Sequence, residues 1–384
     1  MKEDKPIKNF KVYQIKIKNS DKEYFSRLFL EAKWLANHIL SLDNVFDYDT
    51  KTNYVVVKTQ DDGDIRELTS LAAQMRQSIC YQIQDNVKAL SLKKKKGLMV
   101  GKLKFKSVVN SIPLSNQTFK IRGNRIKLQR KKRWFKVYGL EQLGENPDIR
   151  CATLIRKPSG IYLHICVNEE IKPRKQTISN IGIDFGIKDH FTFNDGTKVN
   201  FNADKQVKKI RKAHQNLSRK QKGSKNNFKA KLKLQRKYER LDNMKLDASN
   251  KLISALSNFK VVFQDEMISD WQKGFFGKQI NNSILGRVKS MLQKNTDNVV
   301  LKRSLPTTQT CRECGRLNKQ KLSERKYRCE CGYKHDRDTH SAINMLWFSG
   351  LEQACVEKES DLWRVLSGIQ SKHLSVKQEA AIDI

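Results

Sequence analysis

The chain has 384 residues, with 76 Lys and Arg against 40 Asp and Glu, a formal charge of +36 at pH 7. Such an excess gathers anions and favours a polyanionic partner, nucleic acid foremost, because phosphate neutralisation supplies most sequence-independent affinity. A lysine-biased proteome would also raise the charge, since Lys far outnumbers Arg. No long apolar stretch is present, and the opening run MKEDKPIKNFKVYQIKIKNS mixes acids with bases. These features argue against a signal peptide, an anchor or a membrane partner, and for a cytoplasmic setting. There, eight cysteines are expected as thiols or metal ligands.

Taken in chain order, Phe10–Ile17 alternates apolar and polar residues and predicts a strand. Phe25, Leu28, Ala32, Leu35 and Ile39 recur at helical spacing, as do Leu68, Leu71, Met75, Ile79, Ile83, Val87 and Leu90, which predicts a small helical insertion. The basic run Lys93, Lys94, Lys95, Lys96 ends it. Strand-like alternation returns in GKLKFKSV, FKIRGNRIKLQRKKRWFKVYGL and CATLIRKPSGIYLHICVNEEI, with turns at Gly123-Asn124 and Ser159-Gly160. Residues 1–175 thus read as a β-barrel interrupted by helices. One face carries bases such as Arg130, Lys131, Lys132 and Arg133. Trp134 and Phe135 among them could stack on nucleotides or, for at least one of the two, pack in the core.

From Ser179 the pattern becomes α/β. SNIGIDFGIKDHFTFNDGTKVNFN predicts two or three antiparallel strands with a turn at Asp195-Gly196. Ala203 to about Leu256 is helical with a break near KGSKNN. Sixteen bases against three acids between Ala203 and Lys245 exceed what a solvated face needs, so this region, with Arg219, Lys220 and Lys222, reads as a backbone-gripping surface. A strand (KVVFQDE), a helix (NNSILGRVKSMLQKN), a short strand (NVVLKRS), a cysteine module and a helix from about Asp336 to Phe348 follow. Residues 351–384 have weak periodicity and read as a flexible tail.

Two groups carry chemistry. Cys311-x-x-Cys314 and Cys329-x-Cys331, each followed by a glycine (Gly315, Gly332), have the spacing of two knuckles on a short hairpin. Four thiolates suit one structural, tetrahedral Zn²⁺. Cys80, Cys151, Cys166 and Cys355 stand singly, and most of them read as buried thiols. The second group is acidic. Asp184 interrupts the apolar strand IGIDFGI, where a lone buried carboxylate would be unfavourable without a metal or a basic partner. Strand alternation puts Gln264 and Glu266 on one face and Asp265 on the other. Asp338 falls in the first turn of the helix after the cysteines, with Asp336 as its N-cap. Asp338 alone could simply answer the helix dipole. Three carboxylates from two strands and a helix, however, match what two Mg²⁺ ions need for phosphodiester hydrolysis.

The stretches GIDFGIKDHFTFNDG, FQDE and CRECG…CECGYKHDRDTHSAINM are similar to the three RuvC motifs and zinc ribbon of the TnpB family, insertion-sequence-encoded RNA-guided DNA nucleases related to miniature type V CRISPR effectors. The resemblance covers about residues 8–348 and is specific in the C-terminal half. It implies an α+β multidomain fold: a wedge-like β-barrel (1–20 and 98–175), a helical recognition insertion (21–97), an RNase H-like (RuvC) nuclease domain (176–307 and 336–350) and a zinc-ribbon insertion (308–335). It also implies Asp184, Glu266 and Asp338 as catalytic, Mg²⁺-binding residues, a guide RNA from the transposon end, and double-stranded target DNA beside a short flanking motif. The protein would be a monomer with its RNA, cytoplasmic and nucleoid-associated in a prokaryote. Three departures stand out. Many members have Glu where Gln264 stands, many have Asn and Ala where His340 and Ser341 stand, and the second cysteine pair is one residue shorter. A nuclease-inactive RNA-guided repressor and a guide-independent, structure-selective nuclease or transposase are the alternatives.

Overall fold

A computed structural model describes residues 8–18, 21–58, 63–101, 103–170, 179–321, 324–351 and 361–378. Cys355, and parts of the 1–20, 98–175 and 351–384 segments, lie outside them. The chain divides into two compact units, Met1–Lys172 and Pro173–Ile384.

In the first unit, β1 (Lys8–Ile17) leads to α1 (Lys22–Ser41), a hairpin of β2 (Tyr54–Lys58) and β3 (Gly63–Glu67), and α2 (Ala73–Lys95). Then come β4 (Ser111–Ser115), β5 (Phe119–Arg122), β6 (Arg125–Leu128), β7 (Phe135–Tyr138), β8 (Asp148–Lys157) and β9 (Gly160–Glu170). Seven strands form one sheet in the order β4-β8-β9-β1-β7-β6-β5. A three-residue turn, Asn116–Thr118, joins the two edge strands, so the sheet is a nearly closed barrel. Asp21 caps α1 by accepting from the Tyr24 N–H at 3.0 Å. The face of Phe25, Leu28, Ala32, Leu35 and Ile39 is buried. Glu31 is buried with them. Its carboxylate meets Arg27 at 2.7 Å and accepts from the backbone N–H groups of Ser70 and Leu71 (2.8 and 2.9 Å), which satisfies its charge and ties α1 to the start of α2.

Three local expectations change. GKLKFKSV contains no strand among its described residues: Leu103 and Phe105 are exposed, and pairing starts at Ser111. The β2–β3 hairpin stands where no strand was expected. Phe135, as expected for at least one of the Trp134–Phe135 pair, is core, 1% exposed, and stacks on Tyr24. Among the single cysteines Cys80 is buried, whereas Cys151 is exposed and Cys166 half-buried, directly opposite one another on β8 and β9.

The second unit holds a six-stranded sheet of β10 (Asn180–Phe185), β11 (Phe191–Phe193), β12 (Thr197–Phe201), β13 (Lys260–Gln264), β14 (Val299–Leu301) and a later strand, β17 (Leu374–Gln378). The order is β14-β13-β10-β11-β12-β17, with β10, β13 and β14 parallel and the β10–β17 side antiparallel. Between β12 and β13 lie α3 (Asp204–Ser218) and the 31-residue α4 (Lys225–Ala255). The helix expected over 281–295 is α7 (Leu285–Gln293), preceded by two short helices that were not expected, α5 (Ile268–Trp271) and α6 (Gly277–Asn282). A small hairpin, β15 (Lys326–Arg328) and β16 (Lys334–Asp336), feeds α8 (Arg337–Phe348).

Helix α8 lies against β10. A Cβ at Gly182 would come 2.0 Å from the Ala342 carbonyl oxygen, so only glycine admits this approach. The segment expected to be a flexible tail contains α9 (Asp361–Ser367) and β17, which pairs with all five residues of β12. Leu362 and Leu366 of α9 join the core.

Candidate carboxylate cavity and cysteine cluster

Asp184 sits near the end of β10 with Phe185 and Ile183 buried beside it. Burial pushes its carboxyl up to about 8, helped by the negative charges of Asp338 and Glu266 and opposed by the Ser341 hydroxyl and Arg337. Ser341, one turn along α8 from Asp338, donates to Asp184 Oδ1 at 3.0 Å. Its oxygen also lies 3.2 Å from Thr307 Oγ1, which donates to Gln264 Oε1.

Gln264 and Glu266 do not share a face. Strand β13 stops at Gln264, whose amide is buried and donates to the carbonyls of Lys302, Arg303 and Leu305 at 2.8–3.0 Å. A carboxylate there would confront three carbonyl oxygens with no proton to offer. Glu266 lies beyond the strand, in a turn closed by its own N–H to the Gln264 carbonyl at 2.8 Å. Burial raises its carboxyl as well, against the pull of Arg303 and Lys289. Asp265 is bound by Lys289 at 2.6 Å.

Asp338 is held by two guanidinium groups. Arg337 reaches Oδ1 through Nε and Nη2 (3.1 and 2.9 Å), and Arg325, from the cysteine module, reaches Oδ2 at 3.4 Å. Asp336 is the N-cap of α8, accepting from the Asp338 and Thr339 N–H groups at 3.1 and 3.0 Å. It also lies 3.6 Å from the buried Lys198 ammonium. Asp184, Glu266 and Asp338 all line one cavity of about 890 Å³, with Arg325 and Arg337 on its wall.

The donor set suits hard divalent cations. All three acids offer oxygen only, and the second oxygen of Asp184 has no hydrogen-bond partner among the described residues. Their oxygens are not drawn around a single point. Among the described residues the four cysteines are the group so drawn, with every sulfur within 4.8 Å of the others.

Cys311 and Cys331 sulfurs lie 3.5 Å apart, and those of Cys314 and Cys329 3.6 Å. Tetrahedral Zn–S bonds of about 2.3 Å put sulfurs about 3.8 Å apart, so the cluster has the right size for zinc. Gly315 and Gly332 take the positive φ angles (71° and 97°) that the knuckle turns require. The Cys331 N–H bond to Cys329 is the main influence holding that thiol down to about 7, near its metal-binding form. His340 joins the module to α8. Its ring stacks on Tyr327 at 4.0 Å, Nε2 lies 2.9 Å from the Thr310 carbonyl, and burial lowers it to about 4, which keeps it neutral.

With this geometry in view, comparisons place the chain. Two family models match: one described as "Probable transposase" over residues 164–260, the other as "Cas12f1-like, TNB domain" over 287–345. A "Putative RNA-guided DNA endonuclease" of Streptomyces pristinaespiralis is 30% identical over 225 residues. The "Putative RNA-guided DNA endonuclease InsQ" of Escherichia coli K12 is 30% identical over 224. Over these spans the chain is similar to the TnpB family. The matches take in 56% and 51% of this chain and span 56% of each relative's length. A cryo-EM structure of a Cas12f1–sgRNA–target DNA complex is 14% identical, covering 71% of each chain, with a TM-score of 0.40.

The basic residues of the chain divide by use. Lys93, Lys94, Lys95, Lys96, Lys132, Arg133, Arg219, Lys220 and Lys222 are exposed. Arg130 instead donates to the carbonyls of Leu68, Thr69 and Leu71, and Lys131 pairs with Asp21 at 2.9 Å, so both also serve the first unit internally. Between α3 and α4, Lys209, Lys212, Lys233 and Lys237 line a cavity of about 230 Å³. Arg325 and Arg337 were not singled out from sequence, and Ser341 was named only as a departure from the family pattern, with no role. Adjacency to Asp338 was the available signal for Arg337; Arg325, 13 residues before Asp338, carries none.

Proposed function

We propose that this chain is an RNA-guided, Mg²⁺-dependent DNA endonuclease, cutting double-stranded DNA beside a short flanking motif under direction of a transposon-derived guide RNA. The observation that carries this reading is the cavity shared by Asp184, Glu266 and Asp338. The parallel β10-β13-β14 core with an antiparallel β11-β12 extension supports an RNase H-like (RuvC) domain. The four-cysteine hairpin supports a zinc ribbon holding one structural Zn²⁺. The names of the two relatives and the charge of +36 support nucleic-acid partners.

Two Mg²⁺ ions bound at such carboxylates supply an activated water and charge stabilisation for the leaving oxygen of a phosphodiester. The chain's own residues do the rest. Ser341 fixes the rotamer of Asp184 by occupying one of its oxygens. Gln264 anchors the Lys302–Leu305 backbone, while Glu266 takes the place of the second acid. Arg325 and Arg337 hold Asp338 in its position and bring positive charge to the wall where a phosphate would lie.

The test is purification with co-expressed RNA, followed by matching duplex DNA and Mg²⁺. Cutting that depends on the guide and vanishes in Asp184→Ala and Glu266→Gln is expected. Tight guided binding without cutting would instead identify a repressor, and cutting of branched DNA without RNA a structure-selective nuclease.

A further inference from the structure

Beside the carboxylate cavity, between α5 and α6, the sequence reads Gln272-Lys273-Gly274-Phe275-Phe276-Gly277. Phe275 is fully exposed and Phe276 52% exposed, and Phe276 and Trp271 line the same cavity as the three acids. Two adjacent phenylalanines in water are unusual, since Phe is among the residues most often buried. We propose that Phe275 and Phe276 form a stacking platform for unpaired bases of the DNA strand entering the carboxylate cavity.

The platform is held by backbone, not by ring packing. The Gly277 N–H donates to the Gly274 carbonyl at 3.0 Å, the Lys273 N–H to Asp270 and the Ile280 N–H to Phe276, both also at 3.0 Å. A Cβ at Gly277 would come 2.2 Å from the Gln272 carbonyl oxygen, so the turn closes as tightly as glycine allows. A rigid turn presenting exposed rings has little ordering entropy left to lose on binding.

Charge selects the occupant. Lys278 follows directly, exposed and without an ion pair among the described residues. Arg325 and Arg337 stand on the cavity wall. Cations interleaved with exposed aromatic faces match a phosphate backbone carrying unpaired bases, because every base has a face to stack while a duplex shows only its edges. An apolar protein partner would leave the Lys278 ammonium buried without a counter-charge.

This inference rests on the nuclease reading, so it is best measured by binding, without cutting. The Asp184→Ala protein with its co-purified RNA, in chelator, is titrated into a short DNA strand unrelated to the guide and carrying 2-aminopurine, whose fluorescence falls on stacking. Expected are quenching by the parent protein and affinity lower by about 5- to 100-fold in Phe275→Ala and in Phe276→Ala. Phe275→Trp should retain both properties, and Phe276→Leu should lose the quenching while keeping apolar volume. Affinity for a duplex of equal length should be unchanged. Unaltered single-strand affinity and quenching in both alanine variants would overturn the platform, as would equal losses on strand and duplex. Phe275 touches solvent alone, so its removal leaves the fold intact. Guided cutting by the unsubstituted protein is scored separately, which keeps failure of the nuclease reading distinct from failure of the platform.

Discussion

At Asp184 the chain keeps a carboxyl where its charge is hardest to hold. Enclosure and two acidic neighbours raise its folded value to about 8, far above that of an exposed aspartate. The sign of the consequence follows. With no metal bound, the folded protein retains a proton that the unfolded chain releases near pH 4. The stability owed to that proton is complete below about pH 4 and is lost as pH rises through about 8. In chelator, Asp184→Asn should therefore melt close to the parent protein near pH 5 and several degrees higher above pH 8, at about 2–4 °C for each kcal/mol recovered. Identical alkaline melting of the two proteins would contradict the enclosure described. Sequence alone made Asp184 visible, because a charge within IGIDFGI calls for a partner. It found Glu266 by the wrong route. Alternation assumed that the strand continued, whereas β13 ends at Gln264 and a turn carries Glu266 to the cavity.

Among the elements, the cysteine hairpin and α8 act as one piece. β16 ends in Asp336, the cap of α8, and Tyr327 of β15 stacks on His340 within that helix. Removing zinc should thus loosen more than the knuckles. Protein isolated under reducing conditions should contain one zinc per chain, and stripping it, or Cys314→Ser, should open residues 311–336 to protease. The same treatment should speed amide exchange at the first turn of α8. A chain free of zinc as isolated, with unchanged protection at α8, would sink this coupling. Cysteine spacing and the Asp336 cap were legible because both are local patterns. The close seat of α8 on β10 was not. It depends on Gly182 meeting Ala342, residues 160 apart, and one glycine in an apolar strand does not say what will approach it. The alternating GKLKFKSV misled for the opposite reason: period-2 patterning needs a neighbouring strand and a buried face, and here Leu103 and Phe105 have neither.

Over the whole molecule, the charge of +36 is unevenly employed. Arg130, Lys131 and Lys198 are engaged with carbonyls or acids inside their own units, whereas the α3–α4 cations gather around shared cavities. Nucleic-acid affinity should fall steeply with salt. Replacing Lys209, Lys212, Lys233 and Lys237 together by Gln should make the slope of log affinity against log salt shallower by about three. A slope unchanged by four lost charges would remove α3–α4 from the binding surface. Strand β17 carries a different consequence, one of timing. Ser375 meets Asn200 across 175 residues of chain, so β12 has an unpaired outer edge until those residues have been made. At about 5–20 residues per second that interval is roughly 9–35 s on the ribosome. The first unit, which ends at Lys172, can fold during this delay. The carboxylate-bearing unit completes its sheet only after the whole first unit has been made.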